Sequence, residues 1–166
     1  MTAESAESVR SRGKKEVRIY TDGACSGNPG VGGWGAILIY NSDVREISGG
    51  ERLSTNNRME LTAVLQALAM LKKSCRVTVY SDSAYVVRAV SESWIFGWSK
   101  SGWRTAGGDD VKNSDLWERL LAFLSVHEVS FVKVKGHSDN EYNNRCDKLA
   151  REAAAKVAAS AKTSDT

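Results

Sequence analysis

Apolar and polar positions recur along this chain with two different periods, and the changes of period mark out its elements. Near the N-terminus the spacing is close to two. Glu16–Ala24 reads as a strand, Gly33–Asn41 ("GWGAILIYN") as a second and Val44–Leu53 ("VREISGGERL") as a third. Short links join them, which predicts an antiparallel meander. The period then lengthens. In "STNNRMELTAVLQALAMLKK" the apolar residues Met59, Leu61, Val64, Leu65, Leu68 and Leu71 keep helical spacing, and Ser, Thr and Asn stand where an N-cap belongs. Cys75–Ser81 is again a strand and Ser83–Glu92 a short helix. Beyond a tryptophan-rich stretch, "NSDLWERLLAFLSVH" is an amphipathic helix, "EVSFVKVKG" a fifth strand and "NRCDKLAREAAAKVAAS" an alanine-rich final helix.

The order β-β-β-α-β-α-α-β-α belongs to the α/β class. It predicts a five-stranded mixed sheet in which strands one to three are antiparallel and four and five lie parallel to strand one. Strands one and four end alike, in Ile19-Tyr20-Thr21-Asp22 and Val79-Tyr80-Ser81-Asp82. Binding sites of open α/β sheets lie beyond the carboxyl ends of the strands. If the two strands are neighbours, about 4.8 Å apart, Asp22 and Asp82 converge there. Two adjacent carboxylates repel unless one takes a proton or a cation sits between them. A hard divalent cation such as Mg²⁺ suits such oxygens and also binds substrate phosphates.

More acids stand nearby in sequence. Glu60, in "NNRMEL", is expected in the first turn of the first long helix, where it reads equally as a capping-box acid paired with Asn57. Asp147, in "NNRCDKLA", is expected to open the last helix, where the helix dipole alone would favour an acid. His137 follows strand five toward the same edge of the sheet and could move a proton there. His127 ends a helix, suits its dipole and is given no catalytic role. The "GNPGVGGWG" segment lacks both GxxxxGK[ST] and a GxGxxG opening a helix, so it reads as a turn with close backbone approach to a ligand.

Bulk properties narrow the field. The 166 residues suffice for one domain. No apolar run approaches the roughly 20 residues that span a bilayer, and "MTAESAESVRSRGKK" has no signal-like apolar stretch. Residues 1–15 read as a disordered leader, 16–158 as the folded domain and 159–166 as a disordered tail. Three cysteines without CxxC spacing argue against a disulfide framework and a structural zinc site. A reducing cytoplasm is the expected setting. A net charge of +3 permits a polyanionic partner without demanding one.

Taken together, "YTDGACSGNPGVGGWGAIL", "TNNRMELTAVLQAL", "YSDSAYV", "VKNSDLWERL" and "VKGHSDNEYNNRCDKLA" resemble the blocks of type 1 ribonuclease H, in that family's order and spacing, from about Glu16 to Ala158. The resemblance implies the ribonuclease H-like fold and endonucleolytic hydrolysis of the RNA strand of RNA·DNA hybrids by a monomer. It implies that Asp22, Glu60, Asp82 and Asp147 hold two Mg²⁺ ions, for which Mn²⁺ could substitute. One ion would activate the attacking water and the other stabilise the leaving 3′-oxygen, giving 5′-phosphate and 3′-hydroxyl products. His137 would assist proton transfer or product release.

By the same resemblance, Cys25, Asn28 and Glu60 would contact the 2′-hydroxyl that tells RNA from DNA, with Asn56 and Asn57 near the two strands' sugars and bases. Thr55 and Asn113 would grip a DNA-strand phosphate, and Tyr85 and Trp98 would line the DNA channel. "WIFGWSKSGWRTAGGDDVKN" matches the family's basic handle, with Lys100, Arg104 and Lys112 facing phosphates and Trp94 and Trp103 in the core. Asp109 and Asp110 dilute its charge, which predicts weaker hybrid binding than in a strongly basic relative. An arginine that relatives often carry is Leu53 here, with Arg52 or Arg58 as substitutes. The alternatives are a hybrid-binding module without catalysis and a DNA-directed nuclease on the same fold.

Overall fold

The computed structural model describes residues 14–135 and 140–164. Strands β1 (Lys15–Gly27), β2 (Gly30–Tyr40) and β3 (Asp43–Ser54) form the meander, antiparallel throughout. Helix α1 (Asn56–Ala69) crosses over to β4 (Cys75–Ser81), which pairs parallel with β1. Helices α2 (Ala84–Ser91), α3 (Trp94–Lys100) and α4 (Ser114–Val126) lead to β5 (Glu128–Lys133), parallel to β4. Helix α5 (Glu141–Ser164) closes the chain. The sheet order is β3-β2-β1-β4-β5, the mixed five-stranded sheet that the order of elements implies. Among the described residues no helix is long and apolar enough to cross a membrane.

The first halves of β1 and β4 alternate, with Val17, Ile19, Val77 and Val79 buried and Arg18 and Arg76 exposed, and in β1 burial becomes two-sided from Ile19 to Asp22. On one face Val17, Ile19, Val77 and Val79 pack against Leu61, Val64, Leu65 and Leu68 of α1 and Trp117 and Leu120 of α4. On the other, Tyr20, Ile37 and Ile39 pack against Cys146, Tyr142 and Leu149 of α5. Tyr20 and Tyr80 are direct register partners, their rings stacked at 4.6 Å, with Tyr142 tilted against Tyr20 at 5.1 Å. The Cys146 thiol donates to the Tyr20 carbonyl at 3.3 Å. These contacts, with Gly33 and Gly35 of β2 lying against the helix backbone, seat α5 on β1 and β2 just below the strand ends. Each fully buried side chain of this size contributes about 1.5–3 kcal/mol, so the frame that carries the site is stiff.

Several elements depart from the sequence reading. The glycine-rich segment continues the β1–β2 ladder to a Gly27–Gly30 pair, because glycine carries no alternation signal yet pairs freely. Helix α3 is unforeseen, its period obscured by Gly97. Trp94 is not in the core: it is 37% exposed, with the Arg88 guanidinium over its ring at 5.0 Å. Trp103 is half-buried against the core. Helix α5 starts at Glu141 rather than Asn144, because the Asn140 side chain accepts from Asn143 N–H at 3.0 Å and caps an earlier turn. It runs to Ser164, past Ala158, where the sequence reading closes the domain.

Candidate active site

The β1–β4 register pairs Tyr20 with Tyr80 and Thr21 with Ser81, so one further step sets Asp22 beside Asp82. Gly23 then lets α1 approach. A Cβ there would lie 2.6 Å from the Met59 carbonyl carbon, so only glycine admits the helix backbone that carries Glu60. On the other side Gly33 and Gly35 admit α5. A Cβ on Gly35 would meet Leu149 Cβ at 2.7 Å and Cys146 O at 2.8 Å. Missing side chains in β1 and β2 thus bring two helices, each bearing an acid, onto one end of the sheet.

Carboxylate oxygens of Asp22, Glu60 and Asp82 all lie within 4.8 Å of one another. They open into a cavity of about 340 Å³, also lined by Asn56, Asn143 and Asp147. Asp147 faces the same cavity but stands apart from the trio, its Oδ2 accepting from Arg151 Nε at 3.0 Å. Neither outer acid sits in a first turn. Asn56 opens α1 and the cap is Thr55, whose Oγ1 accepts from Arg58 N–H at 3.2 Å, so Glu60 lies beyond capping-box range. Asp147 lies well inside α5 rather than opening it. Helix-end electrostatics therefore explains neither residue, contrary to the expectation drawn from their sequence positions.

The charges are strained. Asp22 is 5% exposed. Burial first, then the Asp82 charge, push its carboxyl up to about 7, although a hydrogen bond with Glu60 and the Gly23 N–H donor pull the other way. Glu60 is pushed well above the usual carboxylate range by burial and by the charges of Asp22 and Asp82. Its Oε2 is buried without any hydrogen-bond partner. Clustered carboxylates, oxygen-only donors and an unpartnered buried oxygen fit a hard divalent cation. A cation would satisfy that oxygen and cancel the repulsion.

Around this centre most of the expected contact residues are tied together. Asn28 Oδ1 accepts from Asn56 N–H at 3.1 Å, and the Cys25 thiol donates to Ser54 O at 3.3 Å, which stitches the β1–β2 turn to the start of α1. Asn57 is exposed at the cavity rim. Arg58 is half-buried and bidentate to Asp115 at 2.9 and 3.0 Å, and it also donates to Asn113 Oδ1 at 3.1 Å. Asn113 Nδ2 and Trp117 Nε1 both donate to the Tyr85 hydroxyl, at 3.1 and 3.0 Å. Thr55, Asn113 and Tyr85 are thus linked through Arg58, while Leu53 is 72% exposed.

Trp98 packs on Trp117 at 5.5 Å and, with Arg104, lines a separate groove. Lys100 is exposed, and Arg104 pairs with Asp110 at 3.5 Å. His137 lies outside the described residues. His127 is no dipole-paired cation: it is buried, its Nδ1 accepts from Cys75 N–H at 3.0 Å, and burial lowers its pKa. Asn143 went unnoticed in the sequence. Its signal was its place four residues before Asp147, on the same helical face.

Comparison with known proteins agrees with this geometry. A family model described as RNase H matches residues 14–155. A Ribonuclease H of Chlorobium chlorochromatii is 59% identical over 144 residues, 87% of this chain and 99% of its own length. A Ribonuclease H of Acetivibrio thermocellus is 59% identical over 136 residues, 82% of this chain and 92% of its own. The solved structure of LC9-RNase H1, described as a type 1 RNase H with the type 2 active-site motif, matches with a TM-score of 0.76 at 30% identity, covering 86% of this chain and 74% of that one. The match runs from the first strand well into the last helix, and the chain belongs to the ribonuclease H family of nucleases.

Proposed function

We propose that the protein is an endonuclease that hydrolyses the RNA strand of RNA·DNA hybrids, with Asp22, Glu60, Asp82 and Asp147 as its cation-holding residues. The observation that carries this reading is the convergence of three carboxylates within 4.8 Å at the strand ends, one with an unpartnered buried oxygen. When bound, a pair of divalent cations, best Mg²⁺ given the donor set, supplies charge stabilisation to the attacking and departing oxygens of an in-line displacement that leaves 5′-phosphate and 3′-hydroxyl ends. The protein's part is to hold the acids where water alone would scatter them. Asp22 and Asp82 are fixed by β1 and β4. Glu60 is fixed by the close α1 contact at Gly23, and Asp147 by the seating of α5 on β2. Arg151 Nε donates to Asp147 Oδ2 at 3.0 Å and restrains that carboxylate on the helix face.

Selectivity would come from neutral groups beside the acids. Cys25, Asn28, Asn56 and Asn57 offer amide, thiol and backbone groups suited to sugar hydroxyls, and the 2′-hydroxyl is what distinguishes RNA from DNA. Thr55 and Asn113 suit a phosphate on the DNA strand, and Tyr85, Trp98, Lys100 and Arg104 suit its backbone and sugars. Contacts of this kind read helix form rather than base sequence. His137 is assigned proton transfer or product release by the family resemblance alone.

The test is cleavage of an end-labelled RNA·DNA hybrid in Mg²⁺, with RNA·RNA and DNA·DNA duplexes alongside. Internal cuts in the RNA of the hybrid, abolished by EDTA, are expected. Cleavage of duplex DNA in preference would overturn the substrate assignment.

A further inference from the structure

Among the described residues, four buried side-chain oxygens have no hydrogen-bond partner: Thr21 Oγ1, Ser54 Oγ, Glu60 Oε2 and Asn143 Oδ1. Only Glu60 and Asn143 line the acidic cavity. A buried acceptor without a partner is destabilising, and native proteins keep few of them. A hydroxyl can rotate toward a weak partner, but a carboxamide oxygen cannot donate and depends on finding a donor or a cation. Asn143 is 2% exposed, so bulk water does not reach its side chain freely. Its backbone is pinned, since its N–H donates to Asn140 Oδ1 at 3.0 Å. It stands one helical turn before Asp147 on the same face of α5. The helix that delivers Asp147 to the cavity therefore delivers a neutral oxygen with it.

We propose that Asn143 is a positioning residue of the cation site: its carboxamide oxygen accepts from the hydration shell of a divalent cation held by the neighbouring carboxylates. Mg²⁺ keeps several of its waters when it binds protein, and those waters need acceptors. A neutral acceptor spares the metal-free site a further negative charge beside three carboxylates that already lie within 4.8 Å of one another. The inference rests on the cation-holding reading of the four acids.

The experiment compares wild type, Asn143→Leu, Asn143→Asp and Asp22→Asn as full chains. Calorimetric titration with Mg²⁺ alone gives affinity, and thermal unfolding in EDTA gives metal-free stability. Leucine keeps the volume and deletes the orphaned oxygen. Asn143→Leu should therefore melt higher than wild type in EDTA, yet bind Mg²⁺ about tenfold more weakly, in the range found when groups behind metal ligands are removed. Asn143→Asp, which restores an oxygen, should bind Mg²⁺ at least as well as wild type. A purely structural asparagine would give the opposite sign in EDTA and no change in affinity. Unchanged Mg²⁺ affinity in Asn143→Leu, or an Asn143→Asp variant no better than it, overturns the inference alone, provided that Asp22→Asn has lost affinity. If wild type and Asp22→Asn bind Mg²⁺ equally, the reading of the acids falls and the inference with it.

Discussion

Replacing Asp22 by asparagine should stabilise the metal-free protein while destroying its cation site. Asparagine keeps the shape and can still accept the Gly23 N–H, which Asp22 Oδ1 accepts at 2.9 Å. What it removes is a charge that burial and Asp82 oppose. The Asp22 carboxyl rises from an ordinary 3.8 to about 7 on folding. The folded state therefore binds a proton more readily than the unfolded chain does, and stability falls as pH rises between those two values. A rise of about three pH units corresponds to about 4 kcal/mol. That is a ceiling, because Glu60 competes for the same proton, and a gain of roughly 2–4 kcal/mol is expected at pH 8 in EDTA.

At pH 4.5 most of the penalty has not yet developed, and the gain should shrink to about 1 kcal/mol or less. For a domain of this size the pH 8 gain moves the melting midpoint by about 5–15 °C. Thermal unfolding of wild type and Asp22→Asn in EDTA at both pH values measures it. A variant no more stable than wild type at pH 8, or one equally stabilised at both pH values, would refute the account of a strained acidic cluster.

Other consequences follow from the same geometry. Mg²⁺ should raise the wild-type melting midpoint more at pH 8 than at pH 5, because bound carboxylates must be deprotonated, and titrations in two buffers near pH 6 should reveal proton release. Gly23→Ala should cost at least about 1–3 kcal/mol and most of the activity, since the added methyl meets the α1 backbone; denaturant unfolding with a cleavage assay checks both. Asp115→Ala should raise KM for the hybrid with little change in kcat, because it loosens the Arg58 that orients Asn113. The Arg145–Glu46 pair, at 2.6 Å but part-exposed on both sides, should show little coupling in a double-mutant cycle, and a large coupling would contradict its exposure.

The two halves of the site differed in how openly the sequence displayed them. The repeated apolar-Tyr-hydroxyl-Asp ending betrayed the β1–β4 pairing, because a strand's period of two fixes which residues meet once two strands are neighbours. The Tyr20–Tyr80 register is the structural form of that repeat. The helices were harder to place. Asn140 caps α5 three residues before the reading from periodicity, which hid both the depth of Asp147 and the existence of Asn143. Gly23, Gly33 and Gly35 act by lacking a side chain, so they leave no periodic trace, although they set how closely α1 and α5 approach. The Arg151–Asp147 pair and the burial of His127 depend on packing that no local pattern records.

The central claim is that the gathered carboxylates drive cleavage of the RNA strand through the cations they hold. Single-turnover cleavage of an end-labelled RNA·DNA hybrid by Asp82→Asn, set beside wild type at saturating Mg²⁺ and matched with a gel-shift measurement of hybrid binding, tests it most directly. The expected result is a variant that binds the hybrid as well as wild type and leaves its RNA uncut. A variant that binds equally and cuts at the wild-type rate would show that the chemistry resides elsewhere.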